Sequence, residues 1–146
     1  MGRSRVLVVD DKEDVANAFA AVLQINGYDA AVETDGRAAL ARAVATRPDA
    51  VLLDLGLPGM SGHDICRHIR KEPGWGTEVL VVAITGWARE SDRLSARAAG
   101  FDHYLLKPVE FETVDALLRA AARRGGAATL GAATASARRC ACACGG

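Results

Sequence analysis

Three carboxylates, a hydroxyl and an amine occur in this chain where apolar runs stop. Asp54 closes Val51-Leu52-Leu53 and is followed by the turn-rich stretch Leu55-Gly56-Leu57-Pro58-Gly59-Met60-Ser61-Gly62. Asp10 and Asp11 follow Val6-Leu7-Val8-Val9, Thr85 follows Leu80-Val81-Val82-Ala83-Ile84, and Lys107-Pro108 follows Tyr104-Leu105-Leu106. If these runs are parallel strands, all five groups stand on the carboxyl edge of one sheet, where open α/β folds carry their chemistry. Carboxylates gathered in a cleft repel one another, and burial raises their pKa values unless a cation neutralises them. A hard divalent ion suits them, because magnesium takes a few carboxylates, keeps several waters and completes its shell with phosphate oxygens. The expected ligands of Mg2+ (or Mn2+) are therefore Asp10, Asp11 and Asp54, with the backbone carbonyl of Gly56 as a further oxygen.

Should a phosphoryl group reach such a site, Asp54 is the carboxylate placed to act as nucleophile, by the aspartyl-phosphate route of covalent transfer. The Lys107 ammonium then offers a point charge to one phosphoryl oxygen and the Thr85 hydroxyl a hydrogen bond to another, so an in-line transition state is stabilised electrostatically. Each residue has an ordinary role as well. An Asp pair after a strand, or Asp14 just beyond, opens a helix; Thr85 suits a turn, and Lys-Pro a loop. What favours the chemical reading is the conjunction of all of them at the ends of separate strands.

The elements that must hold these groups follow from periodicity. Apolar runs of strand length alternate five times with segments of helical period, the pattern of a doubly wound parallel sheet covered on both faces. Strands are expected near 5–9, 29–33, 49–54, 78–84 and 103–107. Val15, Ala18, Phe19, Val22 and Leu23 mark the apolar face of a first helix stopped by Asn26-Gly27. Leu40, Ala43 and Val44 belong to a second helix ended by Pro48, and Ile65 and Ile69 to a third closed by Pro73-Gly74, with Cys66 packed on it. Phe111, Val114, Leu117 and Leu118 stripe a fifth. The fourth, near 88–99, has Leu94 as its one large apolar residue, so it is expected to be the least firmly docked, as a moving surface must be.

Composition bounds the rest. The chain has 146 residues, half of them apolar and a quarter charged, with zero formal net charge. That length fits one core, and that balance gives no general attraction to nucleic acid or anionic lipid. No stretch is long and apolar enough for membrane insertion, and the basic start lacks a signal-peptide core. A cytoplasmic location with reduced thiols is expected by elimination. Residues 1–122 are expected to form the domain. Residues 123–146, rich in Gly and Ala and ending Cys140-Ala141-Cys142-Ala143-Cys144-Gly145-Gly146, are expected to be a disordered tail. The three alternating cysteines lack the spacing of a zinc site.

Taken together, Val8-Val9-Asp10-Asp11, Leu53-Asp54 with Leu57-Pro58-Gly59-Met60-Ser61-Gly62, Ile84-Thr85-Gly86 and Tyr104-Leu105-Leu106-Lys107-Pro108 resemble, in order and spacing, the receiver domain of two-component response regulators. The resemblance covers residues 4 to 122. It implies a five-stranded flavodoxin-like sheet in the order 2-1-3-4-5, with a cis Lys107-Pro108 peptide. It further implies a signalling phosphoprotein rather than a metabolic enzyme, with Asp54 as phosphoacceptor and Asp10 and Asp11 shaping the Mg2+ site. Thr85 and Lys107 would contact the phosphoryl group, and Thr85 and Tyr104 would form the switch. Gly56 and Trp87 occupy positions that tune the rate. Implied partners are a histidine kinase or phosphotransfer protein and a downstream protein target, met through the face of helix 4, strand 5 and helix 5 by a monomer or a phosphorylation-dependent dimer. The wording around Asp54, Thr85 and Lys107 is also similar to receivers of hybrid histidine kinases, which points to a single-domain, chemotaxis-regulator-like relative serving a phosphorelay.

Two rival readings remain. A phosphatase with an Asp nucleophile on an α/β sheet carries Asp-x-Asp after its first strand, whereas here Asp10 and Asp11 are adjacent. A scaffold that is never phosphorylated has no need of the full acid, hydroxyl and lysine set.

Overall fold

The runs of β-branched and aliphatic residues do become strands: β1 (Arg5–Val9), β2 (Asp29–Glu33), β3 (Ala50–Asp54), β4 (Leu80–Thr85) and β5 (His103–Leu106). Between and after them lie α1 (Glu13–Ile25), α2 (Gly36–Thr46), α3 (Gly62–Arg70), α4 (Glu90–Ala99) and α5 (Phe111–Gly126). The computed structural model describes residues 4–86 and 89–126. Trp87 and the Cys140, Cys142 and Cys144 tail lie outside the described residues. The chain divides into two compact units, Met1–Phe111 and Glu112–Gly146.

All five strands pair in parallel in the order β2-β1-β3-β4-β5, as expected. β3 at the centre is buried at every position, and the edge strands β2 and β5 are only partly covered. Period two sorts each strand onto two faces. Leu7, Val9, Val51, Leu53, Val81 and Ala83 point to one side, where Ala39 and Ala43 of α2, Ile65, Cys66 and Ile69 of α3, and Ala96 and Ala99 of α4 close the core. On the other side, Ala16 and Phe19 of α1 look toward Val8 and Leu52.

The buried stripe of α1 agrees with expectation at Leu23 and differs elsewhere. Ala16, Ala20 and Leu23 are buried, whereas Val15 is 50% and Val22 37% exposed and Ala18 is exposed too. A reading by side-chain size selects the larger valines, but close helix-on-sheet packing selects Ala16 and Ala20, spaced i and i+4, with Leu23 at i+7. The helix start differs as well: Lys12 stands at the N-cap and Asp14 lies within the first turn. Elsewhere the stops agree. Asn26 caps α1 ahead of Gly27 (φ +95°), and α2 ends at Arg47 one residue before Pro48. α4 buries only Ala96 and Ala99 and leaves Leu94 58% exposed, in line with a shallow hold on the core. In the second unit, Val114 and Leu118 of α5 are buried.

At the amino ends of β4 and β5, one guanidinium gathers several segments. Arg70, at the end of α3, donates to the carbonyls of Gly76 (2.9 Å), Val79 (2.7 Å) and Gly100 (2.9 Å) and to Asp102 Oδ2 (2.8 Å). The same Asp102 oxygen accepts the N–H of Val81 at 2.9 Å. Nearby, the buried Trp75 indole donates to the Pro48 carbonyl (2.8 Å), pinning the loop after α3.

Candidate functional site

Strand register assembles the opposite edge. Val9 of β1 pairs with Leu53 of β3, so Asp10 and Asp54 leave adjacent strands side by side. Asp54 pairs with Ile84 and Thr85 with Leu106, which brings the residue after β4 next to the residue after β5. The Lys107 N–H donates to the Thr85 carbonyl at 2.8 Å, and the Lys107-Pro108 peptide is cis, as expected.

Lys107 reaches across the edge. Its Nζ lies 3.0 Å from Asp54 Oδ2 and 3.4 Å from Asp10 Oδ2. Both carboxylates are buried, at 4% and 6% exposure. Each uses its second oxygen on the backbone: Asp10 Oδ1 accepts the N–H of Lys12 (2.9 Å) and Asp54 Oδ1 that of Gly56 (2.8 Å). Asp10 thus also holds the turn between β1 and the Lys12 N-cap of α1. Burial works against the charge on Lys107, but the hydrogen bond and charge of Asp54, backed by Asp10, hold the ammonium above the ordinary lysine value. Asp11 is exposed, yet it offers a carboxylate oxygen within the same group: oxygens of Asp10, Asp11 and Asp54 lie within 4.8 Å of one another. Three hard oxygen donors, two of them sharing one ammonium, fit a magnesium ion better than a soft metal.

Thr85 and Tyr104 are brought together on the α4 side of the sheet. Thr85 is buried at the end of β4, and its side chain is a hydrogen-bond partner of the Tyr104 hydroxyl. Tyr104 packs partly against the core, and Arg93 of α4 stands over its ring. Burial pushes the Tyr104 phenol up, Asp92 adds to the rise, and the Thr85 hydrogen bond and Arg93 oppose it. Gly56 meets Asp54 through its N–H, and a Cβ at that position would stand 3.4 Å from Asp54 Oδ1, so any side chain there would border the carboxylate. The part of Arg93 was not legible in the sequence, since an arginine on a polar helix carries no signal until the facing strand is known.

Comparison with known proteins decides the family. The model of the response regulator receiver domain matches residues 6–119.

The chain belongs to the response regulator receiver family.

This receiver is 41% identical over 121 residues to the sensory transduction protein RegX3 of Mycobacterium tuberculosis, a match covering 83% of this chain and 52% of the relative. The chain spans about half the length of the curated relatives it matches. Among solved structures, the chemotaxis response regulator CheY4 of Vibrio cholerae superposes with a TM-score of 0.74 at 27% identity, over 82% of this chain and 98% of that one. The receiver domain of the sensor histidine kinase PA1611 of Pseudomonas aeruginosa, solved with a magnesium ion in its active-site cleft, gives 0.73 at 30% identity over 81% and 96%. Among the described residues of the receiver, no helix is long and apolar enough to cross a membrane.

Proposed function

We propose that this receiver, residues 1–122, accepts a phosphoryl group on Asp54 from a histidine kinase or phosphotransfer protein in the cytoplasm. The observation that carries the reading is the Lys107 ammonium held 3.0 Å from Asp54 Oδ2, beside a cluster of three carboxylates. Asp10, Asp11 and Asp54 would hold Mg2+ or Mn2+, with the Gly56 carbonyl as a further oxygen. Such an ion supplies charge neutralisation, so that an anionic donor can approach an anionic nucleophile.

The protein's own groups account for the remaining steps. The Gly56 N–H fixes the rotation of the Asp54 carboxylate, which leaves its other oxygen to face the phosphorus. Lys107 releases that oxygen and moves its charge to a phosphoryl oxygen. Thr85 gives up Tyr104 to donate to the phosphoryl group, and Tyr104 turns into the space that Thr85 leaves. The change is a population shift toward a pre-existing conformer, and near-complete switching needs about 5 kcal/mol of differential stabilisation. α4, held by two alanines, is the element that yields. The surface of α4 and β5 then meets a protein target. Gly56 and Trp87 set how readily water reaches the aspartyl phosphate.

Incubation with acetyl phosphate and Mg2+, read by intact-mass spectrometry, tests the proposal. One phosphoryl mass is expected, absent without metal and absent in Asp54→Asn; acid-labile phosphate persisting in that variant would move the acceptor elsewhere.

A further inference from the structure

The carboxylate site does not end at its carboxylates. A cavity of about 440 Å3 opens beneath them, on the α1 side of the sheet. Its floor is Val8, Leu52 and Ile84 from three neighbouring strands, and its walls are Phe19 with Val15 of α1 and Val109 beyond β5. The alanine stripe of α1 explains the space. Where Ala16 meets the sheet there is no side chain large enough to fill the gap, and Val15 is turned half outward. A volume of this size suits a small ligand, and a mostly apolar lining with a few convergent polar groups is the usual make-up of such sites.

The charged groups that line the cavity are Asp10, Lys12, Asp54 and Lys107. The two buried charges there are both carboxylates, and they share one ammonium. Exposed Asp11 adds a third carboxylate within reach, while Lys12, also lining the cavity, is exposed. Asp10 and Asp54 against the single Lys107 ammonium leave one negative charge, exposed Asp11 and Lys12 offset each other, and the remainder asks for a cation attached to something apolar. An anion of the same shape would meet two buried carboxylates.

We infer that this cavity binds a small organic amine, its ammonium among Asp10, Asp11 and Asp54 and an apolar body of about aromatic-ring size against Val8, Phe19 and Ile84. Because the head takes the place of the divalent cation, the amine and Mg2+ exclude one another, and the amine holds the receiver unphosphorylated. The inference shares its acidic residues with the phosphoacceptor reading, but its binding is measurable without any phosphoryl transfer.

A methyl and aromatic NMR titration of the full chain without metal, using 2-phenylethylammonium, tests it. Shifts are expected at Val8, Val15, Phe19 and Ile84. Affinity should be at least about tenfold above that of ethylammonium, which lacks the ring, since a buried ring contributes well over 1.4 kcal/mol. Added Mg2+ should displace the ligand. Ala16→Leu, which fills the cavity outside the carboxylate cluster, should keep Mg2+ binding and lose the amine about tenfold; Val15→Trp, which closes the mouth from a half-exposed position, should do the same if the first variant fails to fold. Phenylacetate binding as tightly as the amine would overturn the charge assignment, and ethylammonium binding as tightly would remove the cavity from the argument. Absence of any shift at millimolar amine would overturn the site altogether. Failure here with Asp54 still phosphorylated sinks this inference alone; amine binding with no phosphorylation sinks the other.

Discussion

Arg93 of α4 lies over the ring of Tyr104 of β5, its guanidinium carbon 5.9 Å from the ring centroid. Because the Tyr104 hydroxyl is bonded to Thr85, a line of contact runs from the helix surface to the end of β4. A cation over an aromatic face contributes about 0.5–1 kcal/mol at an exposed site. That is small against the fold, but a sizeable part of what holds a shallowly docked helix.

Arg93→Ala should therefore lower the unfolding free energy by no more than about 1 kcal/mol, while shifting the Tyr104 ring resonances toward those of the phosphorylated protein. Unchanged resonances would separate Arg93 from the switch.

Removing Lys107 tests the electrostatics of the cluster. Lys107→Ala leaves two buried carboxylates facing one another, so in chelator the variant should lose about 1–3 kcal/mol of stability. Saturating Mg2+ should restore most of it. Denaturant melts with and without metal read the difference, and equal losses in both conditions would argue against a cation among Asp10, Asp11 and Asp54.

Gly56 borders Asp54 closely enough that a bulky side chain would screen the phosphorylated carboxylate. Gly56→Leu should lengthen the lifetime of the phosphoryl group several-fold with little change in its site of attachment. Mass spectrometry over time after donor removal measures it, and a shortened lifetime would contradict the screening argument.

Alkaline stability should carry the mark of Cys66. Burial pushes its thiol from an ordinary 9.0 up to about 11, against the opposing charge of Arg70. The native state keeps the proton longer than the unfolded chain, so this contribution is intact below pH 9.0 and is lost as the pH rises through about 11. The loss is on the order of 2 kcal/mol. Chemical melts from pH 8 to 11 should fall more steeply for the parent than for Cys66→Ala; parallel curves would place the titration elsewhere.

The strands and the carboxyl-edge residues were legible because parallel strands buried on both faces leave uninterrupted apolar runs, and the first polar residue after each run marks its end. Asp10, Asp54, Thr85 and Lys107 are all found this way. Of the face of α1 Leu23 was legible but Ala16 and Ala20 were not, because alanine carries little weight in an apolar stripe although it is what close packing against β1 and β2 requires. Arg70 and Arg93 were hidden for a related reason. A charged residue on a helix reads as solvated surface until the segment opposite it is known, and those segments are 30 residues away for Arg70 and Gly100.

The guanidinium of Arg70 gives the molecule a direction. Its bonds tie α3, the loop before β4 and the turn before β5 at the sheet's amino edge, while at the carboxyl edge the side chains of Asp10 and Asp54 are joined by one long, partly exposed lysine. Amide protons near Val81 and Asp102 should therefore outlast those of α4 in deuterated solvent, and the exchange pattern should be graded along the strands rather than from centre to rim. A protein clamped at one end and yielding at the other behaves as a reed. A stimulus applied at the tip bends the tip, and the base keeps its shape for the next cycle.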